Sequence, residues 1–179
     1  MDKALLVYFA KIDQPNNFFK IDKIDDLDED IKNQFEKGNY LVRRTTHINF
    51  EKILKFDLPK ELKDYINIFW HPCIRGYYML PECIVLFPVL KKKDDSDADI
   101  LYYENGLISM ERDWRKYDQE KRFIPIGWLG YSGGYILYEM RTGQIYFEDM
   151  NANVEGSIVN EPLANSLKEL IERMNPILK

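Results

Sequence analysis

Residues 123–149 alternate between short apolar runs and turn residues, and this pattern constrains the fold more than any other part of the sequence. The runs 123–129, 135–140 and 145–149 are rich in apolar and aromatic residues and have the length of strands. A glycine-rich turn separates the first two runs, and residues 141–144 separate the second from the third. Because turns this short join neighbouring strands, the pattern predicts an antiparallel three-stranded meander.

Helical periodicity precedes this meander. Asp25 is predicted to cap a helix that carries Leu27, Ile31 and Phe35 and ends at Gly38. A second helical stretch is predicted at about residues 49–55.

The sharpest helical signal lies at Pro59, since proline suits a first helical turn, where its missing N–H has no helical partner. Apolar residues then recur at helical spacing until the His71-Pro72 pair ends the pattern. These residues are Leu58, Leu62, Ile66 and Phe69.

The remaining elements are shorter. Residues 84–90 are predicted to form a buried strand that ends at the charged loop 91–99, and residues 101–103 a further strand. Residues 107–117 are predicted to form a short helix. Pro162 is predicted to open a last helix that Asn175-Pro176 ends. Its apolar side consists of Leu163, Leu167, Leu170, Ile171 and Met174.

Helices, then strands, then a closing helix are typical of the α+β class. We expect an antiparallel or mixed sheet of about five to six strands, packed by N-terminal helices and a C-terminal helix. A chain of 179 residues with 45% apolar content can bury one core and leaves little room for a second. We therefore predict a single domain over residues 1–179, with its core at about 50–174 and a strand or helix extension over 1–49.

Charge and cysteine content exclude several classes of protein. The net charge near −5 would repel nucleic acid, and the largest basic cluster, residues 91–93, runs directly into acidic residues. Cys73 and Cys83 are too few for a disulfide framework, which indicates a reducing compartment and therefore the cytoplasm. Lys11 and Asp13 interrupt the apolar run at 4–9, and no stretch approaches the roughly twenty apolar residues of a membrane span. We predict neither a signal peptide nor membrane insertion.

The turn Gly130-Tyr131-Ser132-Gly133-Gly134 satisfies the G-x-S-x-G pattern of a hydrolase nucleophile elbow. An elbow needs a helix after the serine, whereas a strand is predicted there. The catalytic histidine should also follow the serine, whereas His47 and His71 both precede it. A hairpin turn, in which glycine supplies a positive φ, is the better interpretation.

Other candidate chemistry is equally incomplete. His71, Cys73 and Cys83 lack a fourth metal ligand, and nothing indicates the orienting group of a Cys-His protease. The pair Glu148-Asp149 does not converge, because neighbouring residues on a strand point to opposite faces. We predict no catalytic residue, no cofactor and no metal, and we expect no enzymatic activity.

The order of motifs resembles the SUKH superfamily of mainly bacterial immunity proteins, which includes a Syd-like branch of SecY-interacting proteins. The resemblance spans roughly residues 50–174. The C-terminal segment is more similar to the Syd-like branch, and the 123–134 segment to the general immunity members. The segments that carry the resemblance are Phe56-Asp57-Leu58-Pro59 with Leu62, Tyr65 and Ile66; 123–127 with Gly133-Gly134; 138–147 with Thr142-Gly143; and 163–178.

The resemblance implies a protein partner. Immunity members bind and neutralise the toxin domain of a contact-dependent or secreted polymorphic toxin inside the producing cell. Many such toxins are nucleases with a basic substrate site, and an acidic protein is steered toward such a site. One alternative is a Syd-like role at the cytosolic face of the SecY translocon, where positive loops are common. A second alternative is a small enzyme or scaffold of an unrelated class.

Aromatic residues among acidic ones suit a protein interface, and this combination selects the candidate partner-binding residues. The competing interpretation is that the tryptophans fill the core and the aspartates are merely solvated. The candidates are Asp94, Asp95, Asp97, Asp99, Trp114, Trp128 and Tyr131.

Overall fold

The computed structural model describes residues 1–12, 27–45, 56–90 and 107–177. Four predictions lie outside these ranges: the Asp25 cap, the helix at 49–55, the charged loop at 91–99 and the strand at 101–103. Within the ranges, no helix has both the length and the apolar character that crossing a membrane requires.

The described ranges contain five helices and eight short strands, which confirms the α+β class. The helices are α1 (Asp2–Ala10), α2 (Glu29–Glu36), α3 (Lys60–Ile68), α4 (Leu107–Trp114) and α5 (Leu167–Arg173). The strands are β1 (Val42–Arg43), β2 (Phe69–Trp70), β3 (Ile74–Tyr77), β4 (Ile84–Leu86), β5 (Phe123–Leu129), β6 (Tyr135–Glu139), β7 (Ile145–Phe147) and β8 (Asn175–Pro176).

Six of the strands form one sheet in the order β7-β6-β5-β4-β3-β8, and each neighbouring pair is antiparallel. The strands β1 and β2 form a separate antiparallel pair. The predicted meander is confirmed as β5, β6 and β7. The helix predicted at 107–117 is confirmed as α4, although it ends at Trp114.

A β-bulge in β5 decides which side chains face the core. Pro125 pairs with Leu137, but Gly127 pairs with Ile136, so Ile126 is an extra residue in the ladder. Proline lacks the N–H that a ladder needs, and it is tolerated inside sheets mainly beside such bulges. The bulge also shifts the two-residue alternation, so that Trp128 lies on the sheet face opposite the core residue Leu129.

Gly127 allows β4 and β5 to approach each other closely. A Cβ atom added there would overlap the Val85 carbonyl oxygen and lie 2.9 Å from the Leu86 Cα. Gly133, in the following turn, has a φ of 78°, and a Cβ there would meet no atom within 4 Å. The two glycines therefore serve different needs, namely backbone contact at Gly127 and a left-handed turn at Gly133.

The main buried cluster contains residues from all five described helices, and its sheet residues, such as Ile84, Leu129 and Ile136, share one face of the sheet. Leu5 and Tyr8 of α1 and Phe35 of α2 belong to it together with residues of α3 and α5. The buried cluster therefore includes residues that precede position 50, where the predicted core begins. A smaller cluster of Trp114, Phe123 and Leu137 lies on the opposite face, where α4 packs on β5.

Helix α1 and the residue that follows it are hydrogen-bonded to β3 and to the end of α5. The Tyr8 hydroxyl donates to the Arg75 carbonyl oxygen at 2.6 Å and accepts from the Arg75 N–H at 3.0 Å. The Lys11 ammonium donates to the carbonyl oxygens of Glu172 and Met174, at 2.6 and 3.0 Å, where α5 ends. These carbonyls have no partner within a helix, so the lysine satisfies them.

Helix α3 ends earlier than its periodicity predicts. Pro59 is the N-cap, and the helix stops at Ile68 rather than continuing to His71-Pro72. Strand β2 follows directly and pairs with β1, so Phe69 belongs to a strand. Arg44 satisfies carbonyls of the last turn: its backbone N–H donates to Ile68 and its guanidinium to Ile66.

The predicted start of the last helix at Pro162 is wrong. Helix α5 begins at Leu167, and the Ser166 side chain caps it by accepting from the Glu169 N–H at 3.0 Å. Leu163 precedes the helix because its N–H donates to the Ile145 carbonyl oxygen at the edge of β7. Similarly, the N-cap of α2 is Asp28, whose carboxylate accepts from the Asp30 N–H.

Replacing Gly127 by alanine should destabilise the protein much more than replacing Gly133. We expect Gly127→Ala to lower the free energy of unfolding by at least about 3 kcal/mol, because two strands must separate. Gly133→Ala should lower the free energy of unfolding by about 1–2 kcal/mol, because alanine must adopt the left-handed backbone conformation there. Urea denaturation of both variants measures the difference. Equal losses would contradict the close approach of β4 to β5.

Candidate partner-binding surface

A row of four side chains crosses the sheet face that lies opposite the main core. Arg75 pairs with Val85, Val85 with Trp128, and Trp128 with Tyr135. Residues paired across neighbouring strands point to the same face, so these four side chains form a line across β3, β4, β5 and β6. Arg75 is exposed, Trp128 and Tyr135 are half-buried and Val85 is buried.

A groove of about 730 Å³ lies over the β3–β4–β5 part of this row. We call it the open-face groove, and its lining is Arg75, Tyr77, Pro81, Glu82, Cys83, Val85, Trp128, Gly130, Tyr131 and Ile177. Tyr77 is 44% exposed, and Tyr131 at the β5–β6 turn is 95% exposed. The surface of the open-face groove is thus mostly aromatic and aliphatic, with one basic side chain, Arg75, and one acidic side chain, Glu82.

The acidic side chain, Glu82, is engaged in fixing the β5–β6 turn. Its carboxylate accepts from the backbone N–H groups of Tyr131 and Ser132 at 3.1 and 2.9 Å. The Ser132 hydroxyl lies 3.0 and 3.1 Å from the two carboxylate oxygens. The Gly133 N–H donates to the Leu129 carbonyl oxygen and closes the turn. This geometry confirms the hairpin interpretation of the glycine-rich segment.

A smaller pocket of about 230 Å³ adjoins Trp128 on its other side, between α4 and the β5–β6 hairpin. Asp113 and Tyr135 line it together with Trp128. Burial, followed by the nearby charges of Asp113 and Glu148, raises the pKa of Tyr135. Trp128 therefore separates a basic side of the row, at Arg75, from an acidic side at Asp113.

The structure brings together two of the predicted partner-binding residues, since Trp128 and Tyr131 both line the open-face groove. Trp114 is only 1% exposed and packs edge-on against Tyr135 with ring centroids 5.7 Å apart, so it is a core residue in this conformation. The four aspartates at 94, 95, 97 and 99 lie outside the described residues. Arg75 and Tyr77 were not predicted, although they alternate with the buried residues Ile74 and Gly76.

His71 is completely buried. Its Nδ1 lies 2.8 Å from the Pro72 carbonyl oxygen and must donate, because a carbonyl oxygen can only accept. The ring also packs edge-on against Tyr65, with centroids 4.9 Å apart. Burial lowers the pKa of His71 to about 4, so the imidazole is neutral near pH 7. This is the environment of a structural histidine.

The remaining candidate groups are engaged locally. The Glu148 carboxylate accepts from the N–H groups of Tyr135 and Gly156, and the Asp149 carboxylate from that of Asn151. Burial raises the pKa of the Cys83 thiol, which leaves it protonated and weakly nucleophilic. Across the four described ranges, no three His, Cys, Asp or Glu side chains are grouped so that they could hold a metal ion.

Comparison with models of known protein families gives no match to this chain, and no curated protein matches its sequence.

Removing the Glu82 carboxylate should loosen the β5–β6 turn. We expect Glu82→Ala to lower the free energy of unfolding by about 1–2 kcal/mol, since the backbone donors it satisfies then face solvent. Faster hydrogen exchange at the Tyr131 and Ser132 amides should accompany the loss. Glu161→Ala makes the same charge change at an exposed residue and should cost less than about 0.5 kcal/mol. Identical behaviour of the two variants would contradict the anchoring role.

Burial of neutral His71 should make the protein less stable in mild acid. The folded-state pKa of about 4 lies below the ordinary histidine value of 6.5, so between these pH values the unfolded chain binds more protons. The free energy of unfolding should therefore fall as the pH falls from 6.5 to 4, by up to about 1.4 kcal/mol per pH unit.

His71→Phe keeps the aromatic packing and removes the titrating group, so this contribution to the slope should disappear. Urea denaturation of both proteins at pH 4.5, 5.5, 6.5 and 7.5 measures it, and the carboxylates contribute equally to both curves. Parallel curves would show that His71 is accessible to protons in the folded state.

Proposed function

We propose that this chain is a non-enzymatic protein-binding domain, and that it acts as an immunity protein. Its partner is then the toxin domain of a bacterial polymorphic toxin, which it neutralises in the cytoplasm of the producing cell. The resemblance to the SUKH superfamily supplies the class of partner. The observation that carries the binding role is Tyr131, 95% exposed at the rim of the open-face groove.

Exposed aromatic side chains beside a groove favour protein binding for a physical reason. A tyrosine or tryptophan buries a large apolar area at a low cost in side-chain entropy, and such residues dominate interface energies. Glu82 holds the backbone of Tyr131 in place, so the turn loses little conformational entropy on binding. The Ser132 hydroxyl in the same turn is bonded to Glu82, which supports a structural role for the serine.

The charge of the chain agrees with a basic partner. A net charge near −5 steers the protein toward the positive substrate site of a nuclease toxin, and binding there would block the site without any catalytic group. The same charge suits positive loops of the SecY translocon. Charge therefore supports both partners, and the motifs of residues 123–134 favour the toxin.

Co-expression tests the proposal directly. The toxin candidate is the variable C-terminal domain of a large secreted protein encoded beside this chain. We expect this chain to restore growth of bacteria that produce the candidate and to form a 1:1 complex with it in gel filtration. Failure of both would contradict the immunity role. Binding to membranes that overproduce SecY, without growth rescue, would instead support the Syd-like role.

Tyr131→Ala should weaken the toxin complex at least about tenfold, as expected for an aromatic residue central to an interface. Val154→Ala, which truncates an apolar side chain 69% exposed in another loop, is the matched control and should change the affinity less than about twofold. Isothermal titration calorimetry measures both dissociation constants. Equal affinities would place the interface elsewhere on the surface.

A further inference from the structure

The row that crosses the open sheet face carries opposite charges at its two ends. Arg75 lies at one end, and Asp113 lies beside Tyr135 at the other. Both charged residues are exposed, and within the described ranges neither the guanidinium nor the carboxylate makes a hydrogen bond or ion pair. By contrast, the carboxylates of Glu82 and Glu148, on the same part of the surface, are occupied by backbone N–H groups.

The spacing of the row follows from sheet geometry. Arg75 and Tyr135 are three strands apart, which corresponds to about 14 Å between their Cα atoms. Between them lie Val85 and Trp128, which form an apolar floor. Going across the strands, the surface therefore presents a cation, an apolar stretch and an anion.

We propose that this row binds an extended segment of the partner protein that crosses the strands and carries a carboxylate, an apolar side chain and a cation in that order. The carboxylate pairs with Arg75, whose planar guanidinium can donate two parallel hydrogen bonds. The apolar side chain covers Val85 and Trp128, and the cation lies beside Asp113. The inference deepens the proposed function and rests on it for the identity of the partner.

The spacing also defines the sequence of the segment. Alternate residues of an extended chain point to the same side, and four residues span about 13 Å. A carboxylate at position i, an apolar residue at i+2 and a cation at i+4 therefore match the row. The segment can be recognised by this charge pattern independently of the toxin's chemistry.

A blocked peptide tests this recognition on the protein alone. The probe is acetyl-Gly-Glu-Ala-Leu-Ala-Lys-Gly-amide, and its neutral counterpart has glutamine in place of both charged residues. The measured signal is the indole N–H resonance of Trp128, assigned with Trp128→Phe. Trp70 and Trp114 are buried and act as internal references. We expect a saturable shift with a millimolar dissociation constant, at least fivefold weaker for the neutral peptide.

Charge reversal makes the test specific. Arg75→Glu and Asp113→Lys should each weaken binding of the charged peptide to the level of the neutral one. The double variant should restore it, because the peptide can then bind in the opposite direction. Arg141→Glu, in the turn between β6 and β7, makes the same charge change away from the row and should have no effect. All of these residues are exposed, so unchanged thermal unfolding verifies the fold of each variant.

The outcomes separate this inference from the proposed function. Equal shifts with charged and neutral peptides, or no recovery in the double variant, would overturn the charge-pattern proposal. Growth rescue by the wild-type chain would be unaffected by that result. Conversely, the wild-type chain could fail to rescue growth while the double variant recovers binding of the charged peptide. That result would support the peptide site and reject the toxin as its partner.

Discussion

The close approach of β4 and β5 at Gly127 is the constraint on which the rest of the sheet depends. Strand β5 is paired on both sides, and only a residue without a side chain leaves room for the Val85 carbonyl beside it. The bulge at Ile126 lies next to this contact and changes the alternation of side chains. Together these two features place aliphatic side chains on the core face of the sheet and Trp128 on the opposite face.

Several of the acidic residues that give the chain its negative charge have a structural role. Their carboxylates accept from backbone N–H groups at turns and helix starts. The pKa of Glu139 lies below its usual value. Burial alone would raise it, but the hydrogen bonds from Thr142 and the charge of Arg122 outweigh the effect of burial. Composition therefore does not reveal which acids are available to a partner. The carboxylates that accept in this way include Glu61, Glu82, Asp118, Glu139 and Glu148.

Sequence patterns predicted the elements whose periodicity is long and uninterrupted. The meander and α4 follow from local apolar spacing, whereas β3 is four residues long and offers only two repeats of its alternation. The end of α3 and the start of α5 depend on pairing with β1 and β7, which no local pattern contains. For the same reason Trp114 and Trp128 were indistinguishable: their burial is decided by α4 and by the bulge.

The hydroxyl of Tyr8 has a consequence for how another protein can approach. It occupies both the N–H and the carbonyl of Arg75, the groups that an added strand would use at this position. At the opposite edge of the sheet, residues 158–164 form backbone hydrogen bonds with Ile145 and Phe147 of β7. A visiting chain cannot lengthen the sheet at either place without first displacing these internal bonds. Recognition by side chains across the strands is therefore easier than recognition by backbone pairing along them, and the chain is protected against edge-to-edge association at both positions.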